Sequence, residues 1–201
     1  MELPVYELRI DEEMNSVVDA IALVENPAIE SEFIAFSKEQ SHFTFSKNDE
    51  KMELLGAAMI PDMRIYREDE NHNGYYVFFS KETIRNIAQV FFKHGFQENM
   101  NLDHDKALDA SSFIFQSYIV DQGKGMTSPI GLNLPDGTWV VGVKVTDKAI
   151  WSDIMSGKRK GFSIEGIFER FQSTFHEAKK RSDEEELMEA FQKINSLLIK
   201  M

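Results

Sequence analysis

Two short segments of this chain carry side chains whose types and spacing could form a reaction centre. The first is Lys158-Arg159-Lys160-Gly161-Phe162-Ser163-Ile164-Glu165-Gly166. From Phe162 the apolar residues alternate, so Phe162, Ile164 and Phe168 would face one side of a strand and Ser163, Glu165 and Ile167 the other. A hydroxyl that shares a strand face with a carboxylate two residues on fits a catalytic site, and it fits an ordinary half-exposed strand equally well. The second segment is Met100-Asn101-Leu102-Asp103-His104-Asp105, about sixty residues upstream. A serine hydroxyl is a weak nucleophile until an imidazole takes its proton during attack. Of the five histidines, His42 and His72 sit in polar stretches, His94 ends a helix and His176 lies in a charged lead-in to the tail. His104 is set apart by its acidic neighbours, which favour the imidazolium that a general base must become. A surface or hydrogen-bonded structural histidine is the alternative reading.

Other chemistries fit these residues less well. Gly161-Phe162-Ser163-Ile164-Glu165 misses the G-x-S-x-G elbow because position 165 is Glu, and here a helix precedes the serine while a strand carries it. The elbow needs the reverse order. Asp103, His104, Asp105 and Asp109 resemble a cation loop only superficially. Counted from Asp103, the glycine and glutamate positions of an EF-hand hold Leu108 and Ile114, and no H-E-x-x-H occurs. No cofactor or metal is expected.

The elements that must position these groups are legible in outline. Val5 to Ile10, Ser16 to Val24, Glu32 to Phe36 and Met52 to Ile60 read as strands, with Asn26-Pro27 as a turn. Residues 37–51 read as an exposed loop around a short Phe43–Phe45 strand. Arg64 to Tyr66 and Tyr75 to Phe79 flank a polar hairpin loop ending in Asn73-Gly74. Ile84, Ile87, Ala88, Phe91 and Phe92 fall at helical spacing, with Ser80 placed to cap and Gly95 to stop. Phe113 to Val120 and Trp139 to Val145 are strands joined through the Pro135-Asp136-Gly137 turn. Asp147 caps a short helix that Gly157 ends, and the Ser163 strand follows. Beyond Phe171, Ser182 and Glu185 match a capping box, and Leu187, Phe191, Ile194, Leu198 and Met201 form one helical seam. The expected architecture is α+β: a mostly antiparallel β-barrel with flanking helices over 1–172, and a C-terminal amphipathic helix over 173–201.

Composition bounds the function. The 201 residues include 16 Phe and no Cys, and the formal net charge is −12. Aromatic richness marks a folded chain, and the acidic field opposes bulk binding to nucleic acid or anionic membrane. The basic clusters at 158–160 and 179–181 read as solvated turn residues. No apolar run approaches a membrane span, the N-terminus lacks a signal-peptide pattern, and the expectation is a soluble intracellular protein.

The Asn101-x-Asp103-His104-Asp105 segment, paired with Gly157-Lys158-x-x-Gly161-Phe162-Ser163-Ile164-Glu165-Gly166, resembles the prohead (procapsid) maturation serine proteases of tailed bacteriophages, and most closely the XkdF-like phage protease group. Further likeness lies in Ala22 to Ala28, Met59 to Asp62 with Ile65 to Arg67, Phe79 to Ile84, and Trp139 to Trp151. It spans roughly residues 5 to 170. The resemblance implies a fold like that of herpesvirus assemblins, with Ser163 as nucleophile and His104 as general base. It also implies a host-cytoplasmic role inside the assembling procapsid, cleaving scaffold and major capsid-protein extensions and the enzyme itself. The homo-oligomer option comes instead from the C-terminal seam, which could dock on the body or pair with another copy. The third member carries over less cleanly, because assemblins use a second histidine and phage relatives an acid. Glu165 is the first choice, Asp105 the second because it would share a strand face with His104, and Glu169 or His176 are further candidates. Oxyanion donors are usually backbone N–H groups, so no side chain marks them. The rival reading is a non-enzymatic scaffold or internal capsid assembly protein with the same fold.

Overall fold

The computed structural model describes residues 3–11, 16–25, 34–36 and 51–172. The elements run β1 (Val5–Arg9), β2 (Val18–Val24), β3 (Ile34–Phe36), β4 (Glu53–Met59), β5 (Ile65–Glu68), β6 (Gly74–Phe78), α1 (Lys81–Lys93), β7 (Met100–Leu102), β8 (Asp105–Asp109), β9 (Ser112–Ile119), β10 (Trp139–Val145), α2 (Lys148–Met155), β11 (Gly161–Gly166) and β12 (Glu169–Gln172). The turn expected at Asn26-Pro27, the Phe43–Phe45 strand, the 179–181 basic cluster and the C-terminal helix lie outside the described residues.

Local chemistry sets the helices. Ser80 accepts the Thr83 N–H at 3.3 Å to start α1, whose Ile84, Ile87, Ala88 and Phe91 are buried at helical spacing. His94 caps its end, and Gly95 then takes φ 75°, a left-handed turn that costs a glycine little. Asp147 caps α2 by accepting the Ala149 and Ile150 N–H groups. The apolar run of β10 is buried on both faces. Trp139, Val141, Val143 and Val145 enter the main core, while Val140 packs with Ala57, Val120 and Leu134 in a second cluster. Phe91 meets Trp139 edge-on, with ring centroids 5.4 Å apart, a geometry that adds about 0.5–1.5 kcal/mol to the burial itself.

The strands form three four-stranded sheets, ordered β12-β1-β6-β5, β3-β4-β10-β9 and β11-β2-β7-β8. This corrects the expected α+β class and its antiparallel barrel: with twelve strands and two α-helices, the described residues are mostly β. Each sheet is open, and two are mixed: β1 runs parallel to β6, and β2 parallel to β7. Side-chain alternation reports which face of a strand is buried. It carries no information on the direction of the neighbouring strand, nor on whether the outermost strands meet, so a barrel and three packed sheets read alike. The assemblin-like fold expectation falls with it. Sequence reading also passed over β8 and β12. All five residues of β8 are exposed, so it has no apolar alternation to detect.

Candidate active site

The third sheet assembles the site. Across it, Ser163 of β11 stands opposite Ala22 of β2, and Ala22 stands opposite Asn101 of β7. One step along, Glu165 stands opposite Ala20. Phe162, Ile21, Leu23 and Met100 enter the core, so the alternate residues Ser163, Glu165, Ala20, Ala22 and Asn101 share the opposite face. The two alanines keep the centre of that face low. Over them the Glu165 carboxylate and the Asn101 amide meet: Glu165 Oε1 accepts a short hydrogen bond from Asn101 Nδ2.

The same oxygen pairs with His104 Nδ1 at 3.2 Å, with the Glu165 side chain 14% and the His104 side chain 44% exposed. A nitrogen that faces a carboxylate must carry the proton, so Nε2 is left as the acceptor. His104 and Glu165, far apart in the chain, are thus brought together. Ser163 lies on the same face two residues before Glu165, beside a cavity of about 570 Å³ that both residues line. Among the described residues no hydrogen bond joins Ser163 Oγ to the imidazole. Such bonds are often long without substrate.

His104 is held by a tight turn. Leu102 pairs with Asp105 across a two-residue loop, and both loop residues have positive φ, 51° at Asp103 and 63° at His104. That is the signature of the type I′ hairpin, whose twist suits the flanking strands. Asp and His are among the few non-glycine residues that enter this region readily. The shared strand face expected for Asp105 and His104 does not form, because His104 is in the turn. Asp105 instead accepts the Ala107 N–H at 2.9 Å. Glu169 lies in β12, opposite Arg9 in the first sheet. His176 is outside the described residues.

Arg159 overturns part of the solvated reading of 158–160. Its side chain is 7% exposed and donates from Nη1 to Leu23 O at 2.9 Å and to Asp103 Oδ2 at 2.8 Å. The other Asp103 oxygen accepts the Glu25 N–H at 3.1 Å. Burial pushes the Asp103 carboxyl up. The Arg159 and Glu25 hydrogen bonds and the charges of Arg159 and Lys158 outweigh that and hold it below the usual carboxylate range. A buried guanidinium therefore ties β2 to the turn that carries His104. Lys158 fits the surface reading, pairing with Asp153 at 3.0 Å.

Two further parts stand within the two sequence motifs, which assign them no role. Asn101 is buried, and among the described residues its Oδ1 has no hydrogen-bond partner. A polar side chain amid Met100 and Leu102 was the available signal. Gly166 is the other part: a Cβ there would lie 2.5 Å from Val17 O and 2.8 Å from Val18 Cα. The strand pairing shifts between Glu165 and Gly166, so the bare glycine lets β11 press on β2 just past the carboxylate. Asp103, His104, Asp105 and Asp109 do not converge, and no group of three or more potential metal ligands occurs among the described residues.

One face of one sheet carries a serine and a histidine–carboxylate pair, and a cleft adjoins them along β11. Residues 42–172, which include all three side chains, match the family model described as "Putative phage serine protease XkdF", and the chain belongs to that family. No curated protein and no solved structure matches the chain.

Proposed function

We propose that the protein is a serine endopeptidase in which Ser163 is the nucleophile, His104 the general base and Glu165 the group that orients and stabilises the imidazolium. The observation that carries this reading is the His104 Nδ1–Glu165 Oε1 contact of 3.2 Å, on the sheet face that also carries Ser163. Ser163 Oγ attacks a peptide carbonyl carbon, and His104 Nε2 takes the hydroxyl proton as the new C–O bond forms. The same proton passes to the departing amine as the C–N bond breaks. Water, deprotonated in turn by His104, then hydrolyses the acyl-enzyme. Glu165 keeps the proton of Nδ1 in place, so the basic nitrogen stays Nε2.

The substrates we propose are the scaffold and capsid-protein extensions of an assembling phage procapsid in the host cytoplasm, with the chain itself as a further target. Membership of a phage serine protease family supports this assignment. The test is co-expression with the phage's scaffold and major capsid proteins. Ser163→Ala should leave abundance and fold intact and lower cleavage by roughly 10⁶-fold, as for triads that act as a unit. Full processing by the Ser163→Ala protein would sink the proposal and leave a non-enzymatic assembly role.

A further inference from the structure

The cavity beside Ser163 has a composition that selects what can enter it. Its volume of about 570 Å³ falls inside the range of roughly 300–1,000 Å³ usual for ligand pockets. Met59, Ile65, Val77, Phe79 and Ile164 line it, and its charged residues are Asp19 and Lys106, paired with each other at 3.5 Å, Glu165, paired with His104, and the exposed Arg67. A charged group set against the wall formed by Met59, Ile65, Val77 and Phe79 would lose its hydration without a matching partner on that wall.

The strand that carries Ser163 is at a sheet edge, and its backbone orientation can be worked out. Ile21 donates to Asn99 O and Leu23 accepts from Asp103 N, so these two residues of β2 face β7. Their alternates Ala20, Ala22 and Val24 therefore face β11, opposite Glu165, Ser163 and Gly161. Ile164, between Ser163 and Glu165, is turned the other way, to the edge that borders the cavity. An extended chain can add to such an edge, with main-chain bonds supplying affinity and alternate side chains entering pockets.

We infer that the cavity is a specificity pocket. An extended peptide segment pairs with β11 at Ile164, and a large apolar side chain, on the residue whose carbonyl Ser163 attacks, fills the space. This inference rests on Ser163 being the nucleophile, and the experiment separates the two. The full-length protein is treated with a small alkyl fluorophosphonate, and with peptidyl phosphonates that differ only in the reacting residue's side chain: Leu, Phe, Ala, Asp or Lys. Intact mass and peptide mapping follow modification of Ser163. The Leu and Phe probes should react at least about ten-fold faster than the Ala, Asp and Lys probes, a selectivity that one filled apolar pocket supports. Ile65→Trp, which fills the cavity, should remove that advantage, with the Leu and Phe probes falling to the rate of the Ala probe on the same variant. Ile167→Asp, at the cavity and on a residue already 70% exposed, should slow the Leu and Phe probes without disturbing the core. Labelling by the small probe with equal rates across the panel, or fastest with Asp or Lys, overturns the pocket alone. No labelling by any probe overturns the nucleophile and the pocket with it.

Discussion

At the scale of single residues, His104 serves two demands at once. Its side chain must reach Glu165, and its backbone must hold φ 63° in a two-residue turn. Non-glycine residues in sparsely populated backbone regions persist where the surroundings fix them, and they concentrate at functional sites. The demands separate by substitution. His104→Asn keeps a residue suited to the left-handed region and should shift the urea midpoint little. His104→Val places a β-branched residue there and should be less stable than the Asn variant by about 1–2 kcal/mol. Equal stability of the two variants would contradict the turn assignment. Both should lose the general base. The partners of His104 were only partly legible. Ser163 and His104 stood out by residue type, and Glu165 by its period-2 spacing from the serine. Nothing in the sequence showed that one oxygen of Glu165 would take both Asn101 and His104.

At the scale of elements, the Arg159–Asp103 link joins the β11 approach to the β7–β8 turn, with Leu23 of β2 as the third point. Neutralising Asp103 leaves the buried guanidinium with the Leu23 carbonyl and the Asp153 carboxylate, 3.9 Å from its Nε. Asp103→Asn should therefore cost something toward the lower end of the roughly 3–5 kcal/mol seen when a buried pair is broken, since Asp103 is itself 42% exposed. Because the folded-state pKa of Asp103 is depressed, its contribution is complete above the unfolded value. It is lost as pH falls through the folded one. Urea melts between about pH 5 and pH 2 should show wild-type stability declining more steeply than that of Asp103→Asn. Parallel declines would contradict the link. The run of three cations read as a solvated turn because sequence gives charge and not depth. Arg159 lies deep because the chain rises from α2 into an edge strand beside the Asp103 carboxylate.

At the scale of the whole molecule, the helices and most strands followed from caps and periodicity, as Ser80, Asp147 and the β10 run show. The barrel did not. Sheet partners are chosen by tertiary packing, and the parallel pairings of β1 with β6 and β2 with β7 leave no trace in side-chain alternation. β8, exposed throughout, was invisible for want of an apolar face. This larger scale also makes the site, since β7 with its turn and β11 lie on either side of β2. The central claim is that this folding together makes Ser163 nucleophilic through His104. The most direct measurement is the rate at which a small fluorophosphonate modifies Ser163, read by peptide mapping. The account predicts modification of Ser163 in the folded wild type, loss of it in urea, and a rate lower by at least about 100-fold in His104→Asn. Equal rates in the wild type and the His104→Asn variant would contradict it.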